Sequence, residues 1–334
     1  MSSHLSCVSW CHMMQASSPK IPLSQRKHPS LRGILLRELI AVGVKASGGD
    51  IIALGKKQTP TNDWHPPKGW QLEKFSLPDG ANAQFLVPKN CSRMDVAVLQ
   101  LHGGAYTIGF LPIFQRRSGK LALLAGNVPV LSLDYRVAPE HTYPAALDDA
   151  VQALEWLKRE KGIPPESVIA IGESAGAGLS LALAMRLRDN NIGSLRALVL
   201  MSPWTDLTCN GDSYAIRYLM DPMFGRKFPL PADYMRTSTG ELYAGRTSLK
   251  DPYVSPVFGD FNNLPPMLIH VGEYEMLYDD AAAVYAKAAA AGVKAEFKVW
   301  PGMFHAFHLA DALIPEARTA WREIGVFMRS HFAL

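Results

Sequence analysis

The sequence predicts an α/β protein with a mostly parallel central sheet and helices on both faces. Three observations predict it. Apolar runs of strand length alternate with helix-length runs along most of the chain. The strand-like runs are almost continuously apolar, as strands covered on both faces must be. At Gly172-Glu173-Ser174-Ala175-Gly176 one such run turns abruptly into a small-residue helix. The 334 residues are enough to bury about three-quarters of the unfolded chain's surface, at the upper limit for one core, so a main domain with a smaller added segment is expected.

Residues 1–30 hold many serines and scattered bases but no acidic residue. No apolar core follows a basic start as in a secretory signal, and a disordered extension is expected. His4, Cys7, Cys11 and His12 lack a second ligand pair across a folded loop, so no metal site is expected there. From Leu31 onward, Leu31, Ile34, Leu35, Leu39 and Val42 recur at helical spacing on one face. The bases around this amphipathic helix would suit a membrane surface, but Glu38 and the family resemblance given below favour a cap helix, and the first cap segment is placed at about 31–50.

Gln71–Ser76 and Ala83–Val87 flank the turn Pro78-Asp79-Gly80, a hairpin signal at the sheet edge. Strands and helices then alternate: strand Val96–Leu101, helix Ile113–Ala125, strand Pro129–Tyr135, helix Ala145–Glu160, strand Ser167–Ile171, helix Ala175–Leu187 and strand Ala197–Met201. About residues 208–250 break the rhythm with Tyr214, Tyr218, Met220, Met223, Phe224, Phe228 and Tyr234, and are placed as a second cap segment at the substrate entrance. Strand Pro266–Val271, helix Ala281–Ala291, strand Glu296–Trp300 and a last helix complete the chain.

The chemistry collects at strand ends, where open α/β sheets place their ligands. Gly172 to Gly176 fits GxSxG, a nucleophile elbow that lifts Ser174 into a pocket and aims a helix N-terminus at an oxyanion. A serine needs a base within hydrogen-bond reach, and His305, on a loop before the last helix, is the candidate; His308 is its rival. His102-Gly103-Gly104 follows a strand and offers bare backbone N–H groups, which with Ala175 make an expected oxyanion hole of Gly103, Gly104 and Ala175. His102 itself is expected to hold that loop in place. Carboxylates follow the strand ending at Gly272, and Glu273, Glu275 and Asp279 are the candidates for the triad acid. Asp279 and Asp280 are expected to start or cap the next helix. Glu173 is expected to orient the elbow through hydrogen bonds.

With Asp134-Tyr135-Arg136-Val137-Ala138-Pro139-Glu140, Ser202-Pro203-Trp204 and Asp251-Pro252-Tyr253-Val254-Ser255-Pro256, this pattern resembles the hormone-sensitive-lipase-like branch of the α/β-hydrolase fold, the bacterial group IV esterases. The resemblance covers about residues 30–334. It departs from the family where Ala105 replaces the third glycine of HGGG, and where Glu173 and Ala177 stand in the elbow. It implies a serine carboxylesterase with a Ser174, His305 and Glu275 triad and an acyl-enzyme intermediate, acting on short- to medium-chain acyl esters. Lactone hydrolysis and acetyl hydrolysis are the alternatives within the fold. The plant gibberellin receptors resemble the same family without the histidine, so a non-catalytic receptor is the alternative of another class, and His305 argues against it.

Composition excludes several classes. Lys+Arg 34 against Asp+Glu 30, a formal charge of +4, is too balanced for a nucleic-acid binder. GxGxxG, a phosphate loop and HExxH are absent, and no cofactor or metal is implied. No apolar run is long enough to span a membrane, so no stable membrane insertion is expected. Four cysteines in a chain this long are expected as reduced thiols, which fits a cytoplasmic location. The expected partner is a small-molecule ester; a homodimer is left open.

Overall fold

In the computed structural model, residues 28–46, 64–91, 93–224 and 231–334 are described. Helix α1 (Leu31–Ala46) precedes strands β1 (Gln71–Ser76) and β2 (Asn82–Val87). Then come β3 (Ala97–Leu101), α2 (Pro112–Leu124), β4 (Val130–Asp134), α3 (Ala145–Lys161), β5 (Val168–Glu173), α4 (Ala175–Asp189) and β6 (Ala197–Met201). Short helices α5 (Asp212–Ile216), α6 (Pro231–Met235) and α7 (Glu241–Ala244) lie in the excursion before β7 (Met267–Gly272), α8 (Tyr278–Ala290), β8 (Ala295–Trp300) and α9 (Pro315–Phe332).

The eight strands form one sheet in the order β1-β2-β4-β3-β5-β6-β7-β8. β1 pairs with β2, and β2 with β4, in antiparallel register. Every other neighbour is parallel. The expected hairpin therefore is the sheet edge, and the elements after it fall within a few residues of their predicted bounds.

Alternation along each buried strand feeds two cores. Ala97, Leu99 and Leu101 of β3 and Val168 and Ala170 of β5 face a cluster with Leu147, Leu154 and Leu157 of α3, much of α4 and Val284 of α8. Val98, Ile169, Ile171 and Val199 face Leu121 of α2 and Trp321, Ile324 and Met328 of α9. Both faces are thereby covered, which is why the strands read as continuous apolar runs. This double cover leaves only the strand ends for polar chemistry.

A third cluster lies beyond the carboxyl end of β8, where Trp300, Met303, Phe304, Phe307 and Ile314 pack with Leu36 and Ile40 of α1 and with Met223. α1 is thus seated on the loop that carries His305. Its orientation corrects the sequence reading, because Leu31, Leu35, Leu39 and Val42 point outward, each more than 60% exposed. The packed face is Gly33, Leu36, Ile40, Ala41 and Val44. The helix is apolar on most of its circumference, so periodicity alone did not select the stripe that packs. Residues 1–27, including His4, Cys7, Cys11 and His12, lie outside the described residues. Ser30 donates from its N–H and its Oγ to Glu316 at 2.6 and 2.9 Å.

Candidate active site

β5 ends at Glu173 and α4 begins at Ala175, so Ser174 alone makes the turn. Its φ of 54° and ψ of −121° are strained for a residue with a Cβ. The strain is held from three sides. Ser174 N–H donates to the Met201 carbonyl at 2.9 Å, and its own carbonyl accepts from Ala177, Gly178 and Trp204 at 3.1 Å each. The flanking glycines allow strand and helix to close on the turn: a Cβ on Gly172 would lie 2.2 Å from the Gly176 carbonyl oxygen, and one on Gly176 would lie 2.2 Å from that of Leu101.

The loop after β3 runs beside the elbow. Gly104 has φ +127°, and a Cβ there would sit 2.8 Å from both Cβ and the carbonyl oxygen of Ile108. His102 is buried and stacks on Tyr135 at 4.0 Å, while Tyr135 Oη donates to the His102 carbonyl at 2.7 Å. Burial drives the His102 pKa down to about 4, against a smaller opposing effect of its bond to Gly103. The ring is therefore neutral, and its Nδ1, 2.8 Å from the Gly103 carbonyl, carries the proton. His102 holds the loop, as expected from the sequence.

Glu275 and His305 meet on the other side. Glu275 is fully buried. Its Oε1 accepts from Ser202 Oγ and from the Gly272 N–H, both at 2.6 Å. Oε2 is left for His305 Nδ1, 3.3 Å away. A carboxylate only accepts, so the Nδ1 proton points at Glu275 and Nε2 keeps its lone pair. Burial opposes charge on the His305 ring, but the bond to Glu275 and the charges of Glu275, Asp221 and Glu173 outweigh it and raise its pKa. The rival groups are engaged elsewhere. Glu273 Oε2 accepts from Gly302 N–H at 2.8 Å, and Asp279 Oδ2 from Ser213 N–H at 2.8 Å. Asp280 takes the Thr205 and Asp206 N–H groups at 2.7 Å each. His308 is buried with its Nε2 3.3 Å from His270 Nδ1. α8 already begins at Tyr278, which places Asp279 and Asp280 inside its first turn, tied to the preceding excursion.

Ser174, His305, Gly103 and Gly104 line one cavity of about 610 Å³. Its remaining walls are mostly apolar, with Ile108, Leu111, Phe114, Met223, Phe224 and Leu309 among them. Glu275 and Ala175 stand behind the wall, Glu275 under His305 and Ala175 at the start of α4. Glu173 also lines the cavity. Its Oε2 faces Arg117 at 3.9 Å, an ion pair rather than the hydrogen bond to the elbow expected from the sequence. Phe224 packs on the His305 ring, with centroids 4.7 Å apart. Of the described aromatic and Met residues expected at the entrance, only Met223 and Phe224 line this cavity; Tyr214 is buried, 3.1 Å from Asp280, and Phe228 lies outside the described residues.

Sequence reasoning assigned no role to three residues now at the site. Ser202 bonds Glu275 and also accepts from the Ala306 N–H at 3.1 Å, linking the acid to the histidine loop. It was visible in Ser202-Pro203-Trp204, but only as a motif. Arg117 on α2 and Asp221 before the 225–230 segment had no signal, since neither sits in a motif or on a periodic face.

The fold and site define an α/β-hydrolase. A family model for the α/β-hydrolase fold matches residues 98–309, and the chain belongs to that family, in its hormone-sensitive-lipase-like branch. An acetyl-hydrolase of Streptomyces hygroscopicus is 40% identical over 301 residues, covering 89% of this chain and 95% of that protein. A carboxylesterase/phospholipase of Mycobacterium tuberculosis is 38% identical over 271 residues, covering 80% and 71%. Among solved structures, an esterase/lipase from an uncultured bacterium is 32% identical with a TM-score of 0.80, covering 91% of this chain and all of that one. A hormone-sensitive lipase from a metagenome library is 29% identical with a TM-score of 0.74, covering 90% and 98%. Among the described residues no helix is long and apolar enough to cross a membrane.

Proposed function

We propose that this carboxylic ester hydrolase works by a Ser174, His305 and Glu275 triad through an acyl-enzyme, on short- to medium-chain acyl esters. The observation that carries the reading is one cavity shared by Ser174, His305, Gly103 and Gly104, with Glu275 at 3.3 Å behind the imidazole. Ser174 Oγ attacks the ester carbonyl carbon while its proton passes to His305 Nε2. The carbonyl oxygen becomes an oxyanion, stabilised by the N–H groups of Gly103, Gly104 and Ala175, each contributing about 3 kcal/mol. As the tetrahedral species collapses, the carbon–alkoxy bond breaks and the alcohol leaves with the His305 proton. Water repeats the sequence on the acyl-serine, releasing the carboxylic acid and restoring Ser174.

The cavity volume falls in the range of small-ligand sites, and its apolar walls suit an acyl chain. A structural neighbour at 32% identity and TM-score 0.79, with 91% of this chain and all of that one covered, was soaked with p-nitrophenyl butyrate, in keeping with this class. The acetyl-hydrolase relative makes the acetyl ester the first arm of the test. The two cap segments, α1 and about 208–250, are inferred to set the preference.

The test is hydrolysis of p-nitrophenyl esters from acetate to octanoate, a lactone panel, and fluorophosphonate labelling located by mass spectrometry. Wild-type protein is expected to turn over the shorter esters and to be labelled once, at Ser174. Ser174→Ala is expected to lose hydrolysis while folding normally. Activity of Ser174→Ala within tenfold of wild type, or an adduct on another serine, overturns the assignment.

A further inference from the structure

The buried carboxylate of Asp221 has no part in the mechanism above, yet it touches both halves of the site. It is completely buried. Its Oδ1 accepts from the Met223 N–H and its Oδ2 from the Met276 N–H, both at 3.1 Å. Met223 and its neighbour Phe224 form part of the cavity wall, and Phe224 lies against His305. Met276 directly follows Glu275. One side chain therefore ties the wall of the second cap segment to the turn that presents the triad acid.

We propose that Asp221 is a positioning residue that fixes the Met223 and Phe224 wall against the Glu275 turn and so sets which acyl chains seat productively beside His305. The proposal rests on the triad reading and adds to it. Two backbone N–H groups buried without an acceptor would each lose their desolvation compensation, so the carboxylate cannot be removed without moving one or both partners. A displacement of about 1 Å in a substrate wall can cost up to about a hundredfold in rate. A small acyl group leaves much of the cavity unfilled, whereas a longer chain must touch the displaced wall.

The charge has a second consequence. The charged groups that face Asp221 are His305, from the loop after β8, and Glu275, from the turn after β7. Burial pushes the Asp221 pKa up to about 6, and the charge on His305 opposes the rise. Asp221 is therefore ionised when His305 titrates, and a negative charge there favours the imidazolium. Removing it should lower the His305 pKa and carry activity to lower pH.

The experiment compares wild type, Asp221→Asn, Asp221→Glu and Phe224→Ala, measuring kcat and KM on acetate, butyrate and hexanoate esters and kcat/KM from pH 5 to 9. Asp221→Asn is expected to move the acid limb down by about half a pH unit and to raise KM for hexanoate roughly tenfold with little change for acetate. Asp221→Glu, which keeps the charge, is expected to restore the limb. Phe224→Ala should change the chain-length profile without moving the limb. A folded Asp221→Asn whose limb and chain-length profile match wild type overturns the proposal. Should Asp221→Asn fail to fold, an unchanged profile in Phe224→Ala overturns it instead. Absence of ester turnover in wild type, by contrast, sinks the triad reading itself.

Discussion

At the scale of single residues, Glu275 carries the sharpest expectation, because each of its oxygens has a separate task. Oε1 is saturated by two donors, Ser202 Oγ and the Gly272 N–H, which fix the carboxylate so that Oε2 faces His305. In Glu275→Gln one position must become an NH₂ group. Placed against the two donors it would be repelled, so the amide oxygen stays there and the NH₂ faces Nδ1. The ring must then take the tautomer with its proton on Nε2, where it cannot accept from Ser174. Turnover should fall by up to about 10⁴ with KM little changed. Glu273→Gln and Asp279→Asn should have small effects, since their carboxylates face Gly302 and Ser213. Near-normal kcat in Glu275→Gln beside a large loss in Asp279→Asn would move the acid and leave the serine and histidine in place.

At the scale of elements, the strand-elbow-helix unit was legible because its geometry tolerates few residues. Glycine on each side of Ser174 is demanded by backbone contacts of 2.2 Å, and such a demand survives in sequence as GxSxG. Gly176→Ala should therefore cost about 3 kcal/mol or more in urea denaturation, as backbone must shift to admit the methyl group. Gly43→Ala, at an exposed position of α1 with open space around it, should change stability by no more than about 1 kcal/mol. Equal midpoints for the two variants would refute the close approach. The strands were legible for a related reason, since burial on two faces leaves continuous apolar runs. What stayed illegible depends on tertiary contact. α1 is apolar nearly all round, so only its seat on Met303 and Phe304 distinguishes the packed stripe from the outward one. Asp221 and Arg117 act through partners distant in sequence, and no local pattern marks them.

At the scale of the whole molecule, three buried histidines make a contribution to stability that acid should remove. His102, His270 and His308 are all buried, on the loop after β3, on β7 and beyond His305. Burial holds each neutral, lowering His102 to about 4 and His270 to about 3, with His308 well below its ordinary value. Unfolded histidines titrate at about 6.5. A group whose folded pKa is depressed in this way is neutral in both states above pH 6.5 and costs nothing there. As pH falls below 6.5 the unfolded chain binds protons that the folded protein refuses, so stability is lost progressively down to each folded pKa. Each such histidine contributes a slope of about 1.4 kcal/mol per pH unit in that window. The buried carboxyls of Asp280, raised to about 8, Asp221, raised to about 6, and Glu173, raised by burial, and the raised His305 act in the opposite sense, so the net slope is smaller than three histidines alone would give. His270 lies on a core strand outside the cavity wall, with its Nδ1 3.3 Å from His308 Nε2 and its Nε2 3.9 Å from the Glu323 carboxylate, so its contribution is read by difference against wild type. His270→Gln removes one titrating group, and its stability should fall less steeply than that of wild type between pH 6.5 and 4, by about 1.4 kcal/mol per unit, whatever the offset at pH 7.5. Urea denaturation at several pH values measures both slopes, and parallel curves for the two proteins would show that His270 does not resist protonation in the folded state.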